Sequence, residues 1–222
     1  MSTTTPAGFD LDQTDRLLTT TRAVRKRLDF ARPVERGVVL DCLRVALQAP
    51  SGGNAQPWRW LVVDDPDLRL GLGDLYRRGY GPYIEMQKEA VRTAGGDDSS
   101  AIIRSSDYLA EHLHEAPIHV IPCLLGRLPE GASPADTAGF YGSILPAVWS
   151  FQLALRSRGL GSAFTTLHLL HERESAELLG IPDTVTMAAL LPVAYTTGTD
   201  FRPADRNPVE AVTYWNAWKR RE

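Results

Sequence analysis

The sequence predicts one domain of mixed helix and strand, and three observations carry that prediction. The chain has 222 residues, 43% of them hydrophobic and 23% charged, the size and balance of an ordinary single globular domain. Apolar residues recur at helical spacing around residues 35–49, 101–113 and 137–155. Short apolar runs with strand character stand at 58–63, 116–125 and 184–195.

Taken in order, residues 1–9 lack the basic start and apolar run of a secretory signal and read as a frayed end. The expected organisation is a flexible tail over 1–13 and a single domain over 14–222. Leu11–Thr21 reads as a short helix with Leu17 and Leu18 on its apolar side. The stretch TRAVRKRLD (21–29) gathers Arg22, Arg25, Lys26 and Arg27, with Arg32 close behind. Such a cluster is either a solvated face or a phosphate clamp, because the rigid arginine fork matches phosphate oxygens. A helix follows from about Glu35 to Ala49, with Val38, Val39, Cys42, Leu43, Val45, Ala46 and Leu47 supplying a broad apolar side.

Residues 50–63, PSGGNAQPWRWLVV, end that helix and begin a strand. The loop between offers Ser51, Asn54 and Gln56 among small residues, which suits either an ordinary turn or a backbone nest for an anion. Asp64 and Asp65 then precede Pro66, a first-turn proline that opens another helix. From Leu75 to Ser100 the helical signal weakens: Tyr76, Tyr80, Tyr83 and Met86 alternate with Gly79, Gly81, Pro82, Gly95 and Gly96. This reads as a mobile, partly helical insertion, lid-like over about 75–115. Ala101–Leu113 is helical again, and Ala116–Leu125 is a buried strand that Pro122 assigns to an edge or a bulge.

Thr137–Leu155 holds no charged residue, so a helix at 139–158 should be buried on most faces and should also meet a second subunit. Pro146 should kink it or mark a first turn. Gly159 and Gly161 cap it, a short extended run follows at Ser162–Leu170, and His171–Leu179 is a helix closed by Gly180. Thr184–Tyr195 is a further buried strand. Beyond it stand Arg202, Arg206 and an apolar patch around Trp215 and Trp218.

Composition and motifs exclude several functions. The formal net charge of −3 gives no general pull toward nucleic acid or anionic lipid. No apolar run approaches the roughly 20 residues that span a bilayer. Cys42 and Cys123 have no metal-ligand spacing and read as reduced, buried thiols of a cytoplasmic protein. GLGDLY (71–76) and GLGSAF (159–164) lack the strand, helix and third glycine of a dinucleotide-binding unit. His112 with His114, and His168 with His171, find no completing ligands for a metal. There is no G-x-S-x-G elbow, no P-loop and no paired carboxylates. Basic clusters and small-residue loops without a catalytic apparatus fit chemistry borrowed from an organic cofactor.

Five segments in this order then carry a resemblance: TRAVRKRLD (21–29), APSGGNAQPWRWLVV (49–63), RGLGSAFTTL (158–167), LLGIPDTVTMAALLPVAY (178–195) and RNPVEAVTYWNAW (206–218). Together they resemble the FMN-dependent nitroreductase family from about Thr20 onward, with 75–115 the least typical part. The resemblance implies an α+β fold, a mostly antiparallel central sheet flanked by helices, in an intertwined homodimer with two FMN sites at its interface. It implies hydride transfer from NADH or NADPH through flavin N5 to a nitroaromatic, quinone or activated alkene, in a ping-pong cycle. Reductive dehalogenation, a flavin-consuming reaction, and flavin storage without turnover are the alternatives. Matched residue by residue, Arg22, Ala23, Val24 and Arg25 would hold the flavin, Ala23 standing where many relatives have serine. Pro50, Ser51, Gly52 and Asn54 match the loop that reaches the partner's flavin. Thr165, Thr166 and Leu167 match the segment beside the reactive edge, with no residue of the chain acting as a catalytic acid or base. Arg206, with Arg202 as a second choice, would grip the phosphate. Trp58, Trp60, Trp215 and Trp218 read as core or interface packing, and Gln56 as a loop-orienting residue.

Overall fold

A computed structural model of the protein describes residues 8–93 and 100–221. It divides into two compact units, Arg22–Thr199 and a smaller one from Met1–Thr21 with Asp200–Glu222. The smaller unit carries helix α1 (Leu11–Thr20), whose Asp10 side chain accepts the Gln13 N–H at 3.1 Å and so caps the first turn. The helix begins at Leu11, as expected from its sequence.

In the larger unit, β1 (Leu28–Asp29), β2 (Trp58–Val63), β3 (Ile118–Leu125), β4 (Leu160–Ser162), β5 (Val185–Met187) and β6 (Leu191–Thr196) form one sheet. Its order is β1-β6-β3-β2, with β4 also paired to β6 and β5 to β3. The ladders are antiparallel, and a parallel bridge from Ala23 to Ser162 makes the sheet mixed. Around it pack α2 (Arg36–Ala46), α3 (Pro66–Thr93), α4 (Ala101–His112), α5 (Pro134–Gly142), α6 (Leu145–Ser157) and α7 (Glu172–Leu179). The class is α+β, as expected.

Strand β3 shows how the layers are divided. Ile118, Val120 and Leu124 point into a core shared with α2 and α6, beside Cys42, Phe151 and Leu155. Ile121 and Cys123 point the other way, into a core shared with α3 and α4, beside Leu72, Tyr76 and Leu109. Both cysteines are buried free thiols.

Five expectations are corrected. Pro122 lies inside the sheet, not at an edge: β3 pairs β6 through Val120 and β5 from Cys123 onward. Pro122 sits where the ladder changes partner, and its carbonyl still accepts the Ala188 N–H at 2.8 Å. Its missing N–H therefore faces the junction and costs no bond to β2.

The uncharged stretch forms two helices, not one, because Ser143 and Ile144 break it and Pro146 sits in the first turn of α6. The strand expected over 184–195 is split, since residues 188–190 leave the ladder so that Leu190 can bridge to Thr165. Ser162–Leu170, expected to be extended, ends in a 3-10 turn at Leu167–His171.

The segment expected as a partly helical insertion continues α3 unbroken to Thr93, and its Tyr76, Tyr80 and Ile84 belong to the second core. Gly95 and Gly96 lie outside the described residues. Two glycines of α3, Gly73 and Gly79, are points of close approach, whereas Gly81 faces open space. A Cβ on Gly79 would lie 2.4 Å from the Leu167 carbonyl oxygen, and one on Gly73 would lie 2.9 Å from His114 Cβ. Helix α3 thus gives up propensity to rest directly on two other segments.

Candidate functional site

The edge strand β4 gathers the candidate residues. Val24 N–H donates to the Ser162 carbonyl at 2.8 Å, so Arg22–Arg25 run alongside β4. Contact here is tight: a Cβ on Gly161 would come within 2.9 Å of Val24 Cβ. Val24 is thereby buried as packing, while Arg22 and Ala23 stay exposed and Arg25 is half-buried. Gly159, the residue after the last turn of α6, has φ +77° and acts as the expected helix cap.

Thr165 is fixed next to these residues by two backbone hydrogen bonds with Leu190, at 3.1 and 2.8 Å. Its Oγ1 is buried without a hydrogen-bond partner. The Tyr76 phenol faces it, near Arg25; burial pushes the phenol's pKa up to about 12, while Arg25 and the Thr165 hydroxyl pull in the opposite direction. Arg25 Nη1 is also 3.5 Å from Ser105 Oγ on α4, and Tyr80 donates to Asp107 at 2.7 Å beside it. Thr166 is exposed, and half-buried Leu167 packs into the second core. The structure therefore brings together Arg25, Tyr76 and Thr165 as a polar corner, with Arg22 and Ala23 on the adjoining strand.

A pocket of about 340 Å³ opens beside that strand, lined by Ala23, Leu145, Val148, Trp149, Gln152 and Phe164. Its walls are apolar and aromatic, with one amide. Gln152, absent from the sequence-based site, donates from Nε2 to Ser162 Oγ at 3.0 Å and so ties α6 to β4. The only hint in the sequence is an amide inside an uncharged helix. Leu145, Trp149 and Phe164 are each more than two-fifths exposed, so α6 is not covered on every face within one chain.

The Pro50–Asn54 loop is anchored elsewhere, at the break between α5 and α6. Gly52 N–H donates to Ser143 Oγ at 3.2 Å, and Ser143 in turn donates to the Gly139 carbonyl at 2.9 Å. Gly53, Asn54 and Gln56 all take left-handed φ values, +56°, +53° and +49°, which is costly for the two residues with side chains. Gln56 orients the loop, as expected: its N–H reaches Ser51 Oγ and its amide reaches Asn54 Oδ1. Sequence reasoning missed Ser143, whose only sign is a hydroxyl between Gly142 and Ile144.

Arg202 and Arg206 belong to the smaller unit, on the segment before the short helix at Val209–Val212. Arg206 Nη1 donates to the neighbouring Asp205 carbonyl at 3.0 Å. Trp58 and Trp60 are core residues, Trp60 lying 5.6 Å from the Phe151 ring, whereas Trp215 and Trp218 are exposed. Among the described residues no group of three His, Cys, Asp or Glu side chains could hold a metal. Among the described residues no helix is long and apolar enough to cross a membrane.

The chemistry of this site suits a planar heteroaromatic cofactor bearing an anion. Two arginines supply positive charge, an aromatic-walled pocket adjoins them, and Thr165 offers a buried hydroxyl in need of a partner.

Residues 18–195 match the model of the nitroreductase family. An NADH dehydrogenase of Thermus thermophilus is 28% identical over 187 residues, covering 82% of this chain and 87% of its own. An iodotyrosine deiodinase of Thermotoga neapolitana is 30% identical over 153 residues, 69% and 73% of the two chains. Among solved structures, an oxidized iodotyrosine deiodinase bound to FMN and 3-iodo-L-tyrosine superposes with a TM-score of 0.65 at 26% identity, over 90% of this chain and 98% of that one. An FMN-dependent nitroreductase of Mycobacterium smegmatis in complex with NADPH has a TM-score of 0.67, covering 94% and 100%, and at 17% identity speaks for the fold alone.

Proposed function

Because the chain belongs to the nitroreductase family, we propose that it is an FMN-dependent oxidoreductase using NADH or NADPH to reduce a small organic acceptor. The observation that carries this reading is the Arg25–Tyr76–Thr165 corner, where a buried hydroxyl facing the Tyr76 phenol stands beside a cation, with an aromatic pocket along the segment that carries Ala23. When bound, FMN supplies a two-electron centre that takes hydride from the nicotinamide and gives it to the acceptor in turn.

The chain's own residues bind, orient and shield. Arg22 and Arg25 place positive charge where the flavin gathers negative charge, and Thr165 donates a hydrogen bond toward its reactive edge. Thr166 and Leu167 border that edge. Ala23, lacking a hydroxyl, contributes backbone and space, and Val24 holds the strand in place. Arg206, with Arg202 as a second choice, grips the phosphate. Pro50, Ser51, Gly52 and Asn54 serve the flavin of a second copy, and the exposed Leu145, Trp149 and Phe164 form part of the homodimer contact.

Nitroaromatics, quinones and activated alkenes are the proposed acceptors. Reductive dehalogenation is the second reading, favoured by the 30% identity to the Thermotoga deiodinase. The test is colour and turnover. The purified protein should release one FMN per chain in acid, bleach with NADH or NADPH, and recover its colour with a quinone. Iodide release from an iodophenol would favour the second reading. Bound flavin that no nicotinamide bleaches would mean storage, and FAD or no flavin would overturn the assignment.

A further inference from the structure

We propose that Arg69, His114, His119 and His168 hold a file of internal water running from a surface groove to Thr165, and that this file supplies the proton consumed in acceptor reduction. The proton role rests on the functional reading above; the water file stands on the structure alone.

The outer end is an open groove of about 630 Å³ whose lining includes Phe30, Arg69, His114 and Glu115. Just inside it, Arg69 Nε and His114 Nδ1 are buried without hydrogen-bond partners. Arg69 Nη1 binds the carbonyls of His114 and Ala116 at 3.1 and 2.7 Å, which holds the two side chains at one place. His119 follows on β3, with Ile121 and Cys123 on the face turned toward α3 and α4. Its Nε2 lies 2.8 Å from the Leu113 carbonyl and must donate, so Nδ1 is an acceptor, and it too has no partner. His119 is within electrostatic reach of Arg69 and His114, and His168 is within reach of His119. His168 is fully buried with both ring nitrogens unpartnered. Three residues before it stands Thr165, with its own unpartnered hydroxyl.

Helix α3 measures the span. Gly73 rests on His114 and Gly79 on Leu167, the residue before His168. Six residues of helix correspond to about 9 Å at 1.5 Å per residue, so His114 and the Leu167 turn lie less than two helical turns apart along α3. Leaving one buried polar atom unpaired costs roughly 1–3 kcal/mol. A succession of five side chains in that condition is sustained by internal water, each molecule making about three hydrogen bonds. Apolar packing would instead have been reached with leucine or phenylalanine at no such cost.

The reaction gives the file its use. In NADH + H⁺ + quinone → NAD⁺ + hydroquinone, a nicotinamide C–H bond breaks and its hydride goes to the acceptor. The second hydrogen of the hydroquinone is a proton from solvent. A neutral imidazole with both nitrogens open takes a proton on one and releases another from its second, so His168 passes protons inward without staying charged, while His119, its Nε2 held on the Leu113 carbonyl, only holds water at Nδ1.

The test compares His168→Leu, His168→Gln and His119→Leu in the flavin-loaded protein, with a high-resolution crystal structure of the unaltered chain. Ordered water between the two rings is expected in that structure. His168→Leu should lower the melting temperature and slow acceptor reduction by at least about tenfold, the low side of what a positioned proton donor contributes. Bleaching by NADH, which consumes no proton, should be unchanged. His168→Gln, which keeps a donor and an acceptor, should recover much of both losses. A higher melting temperature in both leucine variants would show the rings to be dry and overturn the file. Unaltered acceptor reduction in His168→Leu would overturn the proton role. If the unaltered protein held no FMN, the functional reading and the proton role would fall together, while the crystallographic water and the melting temperatures would still decide the file.

Discussion

Acid should unfold this protein well before its carboxylates are neutralised, and the two interior histidines set the size of the effect. Burial lowers the pKa of His119 from 6.5 to about 4, with Arg69 and His114 adding to the fall. It does the same to His168, helped by His119. Both are neutral in the folded chain, whereas the unfolded chain takes up a proton at each as pH drops below about 6.5. Stability from these sites is therefore complete above pH 6.5 and is lost as pH falls toward 4. At roughly 1.4 kcal/mol per pH unit of difference, each histidine accounts for about 3 kcal/mol over the window and about 2 kcal/mol by pH 5. Urea unfolding at pH 7, 6 and 5 measures this directly, and near pH 5 the two sites together should give a slope of about 2 kcal/mol per pH unit. The paired ions Arg36–Asp64 and Arg78–Glu174 are exposed. Their lowered carboxylates release stability only at more acid pH, so they do not imitate the effect. The double variant His119→Leu/His168→Leu should have an almost flat profile from pH 7 to 5. A flat profile in the unaltered protein, or the same slope in the double variant, would refute the reasoning.

The sequence disclosed the elements whose inner faces repeat at one period, and concealed those whose form depends on contacts across the fold. Helix α2 and strand β2 carry their signal in their own residues: an apolar side at Val39, Cys42, Leu43 and Ala46, and a run from Trp58 to Val63. Pro122 misled because a proline in a strand is harmless only if its N–H would have faced no partner, and that depends on where β6 stops and β5 begins. Helix α3 was obscured from Leu75 onward by residues such as Gly79, which is explained by the Leu167 carbonyl, far away in sequence. The site divides in the same way. Arg22, Arg25 and Thr165 were singled out because their segments are distinctive strings. Ser143, Gln152, Tyr76 and the histidines were not, since a lone polar residue in an apolar segment acquires meaning only from what faces it.

Further tests address the cofactor, the assembly and the packing beneath the site. Arg206→Ala should weaken FMN binding by about ten- to a hundredfold, for a charge-assisted bond of roughly 1.5–3 kcal/mol. Riboflavin, which has no phosphate, should be nearly unaffected, and equal losses for both would give Arg206 a purely structural role. Trp149→Arg should convert a homodimer to monomers of 24.5 kDa in light scattering; a monomeric unaltered protein would remove the dimer from the reading. Ser143→Ala, which deletes the acceptor for Gly52 N–H, should speed FMN dissociation, with Ser143→Thr restoring it; identical off-rates would sever the loop from the flavin. Gly79→Ala isolates the close approach between α3 and the Leu167 turn. Its new methyl would stand 2.4 Å from a backbone oxygen, and no side-chain rotation can relieve that, so a loss of about 1–3 kcal/mol is expected from overpacking. Gly139→Ala on α5 is the control: nothing lies within 4 Å of its added Cβ, and helix propensity predicts a gain of up to about 1 kcal/mol. Because Leu167 follows Thr165 and Thr166, the displaced turn should also weaken FMN binding in Gly79→Ala and leave it intact in Gly139→Ala. If Gly79→Ala proved as stable as the unaltered chain, α3 would not rest on that carbonyl, and the about 9 Å span assigned between His114 and Leu167 would lose its ruler.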